Sequence, residues 1–290
     1  MATIRQIRQR IRVAKNIEQI TRAMKMVAAA RLKRAQDRVQ QARPYAQSMR
    51  EMMTGLARSA GSDVTHPLLE VREPSSVGFL IITSDRGLAG SYNSALLRRA
   101  TELLNGYDRS QIKLYLMGRK GIQFLTPRGY TIQHTFPINA TAPTYSEARD
   151  VMRVIEADFG AGTIDRLILV YTRFVTAMTQ RPTDALLLPV QPDALEGAEG
   201  SAAAEDYIYE PSAEQLLQSL IPRYVEGQIF QALLESVASE HGARMTAMSS
   251  ATDNAGKMIT NLTLVLNRAR QAGITREISE IVGGAEALKG

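Results

Sequence analysis

Residues 7–36 read IRQRIRVAKNIEQITRAMKMVAAARLKRAQ, and the spacing inside that stretch decides the fold. From Ile4 an apolar or small residue returns at Ile7, Ile11, Ala14, Ile17, Ile20, Met24, Ala28, Leu32, Ala35, Val39, Ala42, Ala46, Met49, Met53 and Leu56. A mean step of about 3.5 residues keeps one seam turned toward a partner helix in a left-handed supercoil. The stripe is narrow and rich in alanine, which suits two helices in close contact. A matching stripe runs through Leu217, Leu220, Tyr224, Leu234, Ala238, Met245, Met248, Ala255, Ile259, Leu262, Leu266 and Ala269. The two ends of the chain are therefore expected to pair as a long antiparallel two-helix coiled coil.

Between them short β-rich runs alternate with helical ones. Val77 to Thr83, Ile112 to Met117, Tyr130 to His134, Leu167 to Phe174 and Ala185 to Val190 read as extended. Asn93 to Leu104, Lys120 to Leu125 and Ser146 to Phe159 read as helices. That alternation predicts a central α/β domain, a Rossmann-like and mostly parallel sheet flanked by helices. The expected boundaries are a first coiled-coil helix over 1–58, a linker over 59–76, the α/β domain over 77–190, an acidic loop and foot segment over 191–211, and the second coiled-coil helix over 212–290. Ser212 and Gln215 have capping-box spacing at the start of that last helix. Pro44 and Pro222 fall inside the two helices and are expected to bend them. At ~1.5 Å per residue, Arg223 to Val282 would span roughly 90 Å if straight, so most of it is expected to project from its own domain and to be surrounded by something else.

Composition narrows the function. In 290 residues, 44% apolar and 22% charged is globular composition rather than disorder. The longest apolar runs, Met26 to Ala30 and Ala185 to Val190, fall far short of the ~18–20 residues that a membrane span needs. The absence of cysteine excludes disulfides, thiolate metal sites and cysteine nucleophiles. Charge is uneven: residues 1–50 carry a net +11, with only Glu18 and Asp37 as acids, while the rest comes to −5. A basic helix can bind nucleic acid, meet acidic protein surfaces, or simply present a solvated face.

Little here can do catalysis. There is no G-x-x-x-x-G-K-[ST], so no P-loop phosphate cradle. His66, His134 and His241 lie in unrelated segments without ligand spacing. Thr83-Ser84-Asp85-Arg86-Gly87-Leu88-Ala89-Gly90 follows an expected strand and precedes a helix, where glycines can let amides approach an anion. A tight βα turn, with Asp85 and Arg86 as docking charges, explains the same residues without a ligand.

Five stretches carry a family resemblance: residues 7–36 above, SDRGLAGSYN (Ser84 to Asn93), DYIYEP (Asp206 to Pro211), GARMTAMSSATDNAGKM (Gly242 to Met258) and ARQAGITREISEIVGGAEAL (Ala269 to Leu288). They resemble the γ subunit of F-type ATP synthase, in order and over nearly the whole chain. The resemblance implies a non-catalytic central rotor shaft of the proton-translocating F1Fo complex. In that family the paired helices turn inside a hexamer of α and β subunits, while the α/β domain sits with ε on the c-ring. It further implies no cofactor or metal, no nucleic-acid partner, and membrane contact only through the Fo sector, at the cytoplasmic face of a bacterial membrane. A basic coiled-coil nucleic-acid binder is the alternative. Carried over by position, Arg22, Met24, Lys25, Arg244, Arg270, Gln271, Thr275, Glu277 and Glu280 match positions that contact β and support coupling. Tyr207, Glu210, Asp85 and Arg86 match the contact with the c-ring and ε. Ala89 stands where many relatives have cysteine, and the redox insertion of chloroplast relatives is missing.

Overall fold

The structure, a computed structural model, describes residues 3–60, 66–191 and 212–287. The elements are α1 (Ile4–Ala60), β1 (Val77–Ile82), α2 (Tyr92–Leu104), β2 (Ile112–Met117), α3 (Arg119–Leu125), β3 (Ile132–Phe136), α4 (Tyr145–Gly160), β4 (Arg166–Phe174), β5 (Gln180–Leu188) and α5 (Ala213–Ala287). Pro44 and Pro222 lie inside α1 and α5, and neither ends its helix. Residues 192–211, with the expected acidic loop, fall outside the described residues. The chain divides into two compact units, Met1–Val27 with Met245–Gly290, and Ala28–Arg244.

In the larger unit the sheet order is β3-β2-β1-β4-β5. The first four strands are parallel and β5 returns antiparallel along β4. Side chains alternate across the pleat, so each strand feeds two cores. Val77, Phe79 and Ile81 of β1 meet Leu96, Leu97 and Ala100 of α2 and Leu125 of α3 on one face. Leu80 and Ile82 point the other way, into a core with Val151, Ile155 and Phe159 of α4, Val39, Met53 and Leu56 of α1, and Ile221, Val225 and Ile229 of α5. Of the expected stripe on α5, Leu220 and Tyr224 are only half-buried, while the neighbouring Ile221 and Val225 are enclosed. Strand β5 is longer than the apolar run Ala185 to Val190 suggested, because its first half pairs through Arg181, Pro182 and Thr183 on the sheet edge, where polar residues and proline are tolerated.

Close packing also dictates one glycine. Gly118, at φ 87 between β2 and α3, would place a Cβ 2.2 Å from the Thr83 carbonyl oxygen. The Thr83 hydroxyl accepts from the Gly121 N–H at 2.8 Å, locking the end of β1 to the start of α3. His66 caps the short turn Pro67–Leu69 and, with Leu68 buried, part of the expected linker is docked on the unit.

In the smaller unit, α1 and α5 keep strict heptad frames. On α1 the inward positions are Ile4, Ile7, Ile11, Ala14, Glu18 and Thr21; on α5 they are Met248, Thr252, Ala255, Ile259, Leu262, Leu266, Ala269 and Gly273. The spacing had put Ile17 and Ile20 in this seam. The structure turns them out, 47% and 58% exposed, and brings Glu18 and Thr21 inward. A step of four and then three from Ala14 leads to Glu18 and Thr21, and the hydrogen bonds that these polar groups find hold the frame.

Candidate functional site

Two sets of side chains, one in each unit, answer to the residues singled out from sequence. In the smaller unit the polar inset of the seam is satisfied from the facing helix. The Thr252 hydroxyl donates to Thr21 Oγ1 at 2.8 Å, and Thr21 Oγ1 in turn donates to the Ile17 carbonyl at 2.9 Å. Lys25 Nζ donates to Ser249 Oγ at 3.0 Å. Arg22 is exposed and pairs along its own helix with Glu18 at 3.2 Å, and Met24 is half-buried. The inset displaces apolar groups outward, so Val13, Ile17, Ile20, Met26 and Val27 line the outer surface of α1.

Toward the end of α5 the carried-over residues Arg270, Gln271, Thr275, Glu277 and Glu280 are all exposed. Among the described residues none of the three charged ones forms an ion pair. Ile274, Ile278, Ile281 and Val282 recur at helical spacing beside them, and Ile281 is 71% exposed. Polar and apolar side chains thus share a surface that the chain itself leaves uncovered. Tyr207 and Glu210 lie outside the described residues.

In the larger unit the Ser84–Gly90 turn is closed by its own bonds. The Ser84 N–H donates to Asn93 Oδ1 at 3.1 Å and the Ser84 hydroxyl to the Arg86 carbonyl at 2.7 Å. Asp85 Oδ1 accepts from the Arg119 N–H at 2.9 Å. The side chains of Ser84, Asp85 and Asn93 thus fasten the turn to α2 and α3. The turn leaves β1, which is flanked by β2 and β4, where an open α/β sheet ordinarily offers its ligand crevice. Here α5 comes to that place: Arg244 Nη2 donates to the Gly87 carbonyl at 3.1 Å, and Ala243 packs with Ala89 and Tyr92. Asp85 and Arg86 are therefore on the same turn that Arg244 grips, although sequence matching had put them in different contact groups.

Arg244 also pairs with Glu240 at 2.7 Å and reaches His241 Nδ1 at 3.4 Å. His241 Nε2 meets the Ala140 carbonyl at 2.9 Å, which assigns the proton to Nε2 and leaves Nδ1 as acceptor. Burial, with Arg244, Arg31 and Arg34 nearby, lowers the His241 pKa to about 4, so its ring is neutral near pH 7. Burial raises the Glu240 pKa against the opposing pull of Arg244. Burial and the Glu240 charge raise that of the Tyr92 phenol. Glu240 and His241 were missed from sequence, though the four-residue step from Glu240 to Arg244 is the ion-pair spacing of a helix. Neither set holds a nucleophile beside a base, and among the described residues no cluster could hold a metal ion.

A family model described as ATP synthase matches residues 3–288. The chain is 46% identical to the ATP synthase gamma chain of Heliobacterium modesticaldum, over 99% of this chain and 100% of that one. It is 47% identical to that of Desulfitobacterium hafniense, over the full length of both. The chain belongs to the ATP synthase gamma chain family. Among solved structures it is similar to a chain of the central stalk and c-ring assembly of Tetrahymena thermophila mitochondrial ATP synthase, with a TM-score of 0.60 and 29% identity, covering 80% of this chain and 99% of that one. A chain of the Euglena gracilis mitochondrial ATP synthase shares the fold at a TM-score of 0.74 and 20% identity, covering 98% and 94%. A gamma chain is a non-catalytic subunit of the ATP synthase complex.

Proposed function

We propose that this chain is the central rotor shaft of a proton-translocating F1Fo ATP synthase, coupling rotation of the c-ring to the conformational cycle of catalytic β subunits. Family membership over residues 3–288 is the observation that carries this proposal. It favours the rotor over the basic nucleic-acid coil. The uncovered apolar stripes of α1 and α5 fit a shaft that α and β subunits enclose. No helix among the described residues is long and apolar enough to cross a membrane. Attachment at the cytoplasmic face of a bacterial membrane would then run through ε and the c-ring.

The mechanism is differential contact. An orientation of the shaft shifts a β site only by as much as its side chains interact differently with the open and closed forms. Arg22, Met24 and Lys25 would meet the acidic levers of β. Arg270, Gln271, Thr275, Glu277 and Glu280 would bond to β loops, and Arg244 would support coupling. Tyr207, Glu210, Asp85 and Arg86 would serve the contact with the c-ring and ε. An exposed ion pair contributes only ~0–1 kcal/mol, so coupling is expected to be spread over many such contacts.

Co-expression with α and β subunits is the test. A complex with one copy of this chain is expected, and failure to co-assemble would sink the proposal. In the assembled enzyme, Arg270→Ala with Gln271→Ala should reduce ATP-driven proton pumping while leaving the melting temperature of the isolated chain unchanged. Unchanged pumping would remove the role assigned to that pair.

A further inference from the structure

Helix α5 is buried on nearly every side between Ala232 and Ala243, and a carboxylate sits in that stretch. Glu240 has 3% of its side chain exposed, and its partner Arg244 has 11%. Holding a helix in a core does not need a buried ion pair, since apolar residues of similar volume do so as well or better. The charge therefore calls for a geometric reason. Arg244 supplies it: one guanidinium nitrogen serves both Glu240 and the Gly87 carbonyl, and another reaches His241, whose far nitrogen is fixed on the Ala140 carbonyl. Through these two side chains α5 is tied to the turn after β1 and to the loop between β3 and α4.

The turn that Arg244 grips holds a conformation that needs support. Leu88 has φ 62 and is 65% exposed. A non-glycine residue in that region persists only where its surroundings over-determine it. Arg31 and Arg34 act electrostatically on the same cluster and would repel the guanidinium of Arg244. The carboxylate of Glu240 offsets that repulsion at the place where the guanidinium must stay.

We infer that Glu240, with His241, is the positioning residue of Arg244, pinning its guanidinium on the Gly87 carbonyl so that the Ser84–Gly90 turn and α5 carry load as one piece. This rests on the coupling role proposed for Arg244. The sign of the effect is specific. Losing the charge at 240 frees the turn, whereas a shorter carboxylate at the same place keeps it gripped.

The chain has no cysteine, so Leu88→Cys accepts a single spin label in the full-length protein. Glu240→Gln is expected to raise the mobility of that label, and Glu240→Asp to restore most of the order. In the assembled enzyme, without the label or its cysteine, Glu240→Gln should lower protons pumped per ATP hydrolysed by about threefold, with Glu240→Asp again closer to the parent. Parent-like label mobility and pumping in Glu240→Gln would overturn the inference. So would equal defects in Gln and Asp variants that track a common drop in melting temperature, which would leave Glu240 a merely structural group. Failure of the parent chain to co-assemble would instead fall on the rotor proposal, because the label reads the clamp in the isolated chain.

Discussion

The same two helices build both units, yet they find stability differently in each. In the Ala28–Arg244 unit the seam of α1 runs through Leu32, Ala35, Val39, Met49, Met53 and Leu56, all buried, and a sheet with α4 closes over the pair. In the other unit, Thr21 and Glu18 occupy seam positions while Val13, Ile17, Ile20 and Ile281 face outward. Patterning of the first kind suits a stretch that completes its own core. Patterning of the second kind suits a stretch whose apolar contacts are made with other chains. An outward Ile left in water gains nothing of the ~25 cal/mol per Å² that burial returns, so it stabilises only a complex.

The contrast can be broken most decisively at Gly118. Gly118→Ala would force a Cβ against the Thr83 carbonyl at a positive φ, and a loss of more than about 3 kcal/mol is expected by denaturant unfolding. Ile17→Ala, on the outward face of the smaller unit, should change the isolated chain by less than about 0.5 kcal/mol. A comparable cost at both places would mean that the two units do not differ as described.

Acid should act next, and on the larger unit. Protonating His241 is harder in the folded chain, where its pKa is about 4, than in the unfolded one. Its share of stability is whole above the ordinary histidine pKa of about 6.5 and drains as pH falls toward 4, by up to about 3 kcal/mol. Glu240, with its pKa raised, works in the opposite sense over the carboxylate range. Melting curves between pH 7 and 4 should therefore show a slope that His241→Gln flattens. An unchanged slope in that variant would remove His241 as its source.

The smallest effect is expected in the polar inset. Thr21→Val alone takes away the hydroxyl that receives the Thr252 bond, though Thr252 Oγ1 can still turn to the Met248 carbonyl, and should cost about 0.5–1 kcal/mol. Thr21→Val with Thr252→Val should recover most of that loss, because both partners become apolar. A double-mutant cycle reads the coupling directly, and strictly additive losses would show that the two hydroxyls do not act together.

Much of this was legible in the residues, and the failures have physical causes. Strand and helix positions in the α/β unit followed from apolar runs buried on both faces, as in β1. The start of β5 did not, because an edge strand with Pro182 and Asp184 lacks that signature. The stripe of α1 was legible in period and, outside Ile17 and Ile20, in phase; there two neighbouring faces both carry isoleucine, and the hydroxyl bond from Thr252 to Thr21 marks the inward one. The distant partner of Arg244 could not be read at all: it is a backbone carbonyl 157 positions away. The exposed residues from Arg270 to Glu280 were found only through the family block, as a lone helix surface does not announce what it will touch.

The outward isoleucines also bear on how a cell must make this protein. A copy released without company would carry a greasy strip on bare helix, the kind of surface that chaperones hold and proteases clear. Yield in a host should thus follow the supply of the chains that cover this strip more closely than the strength of this chain's own promoter.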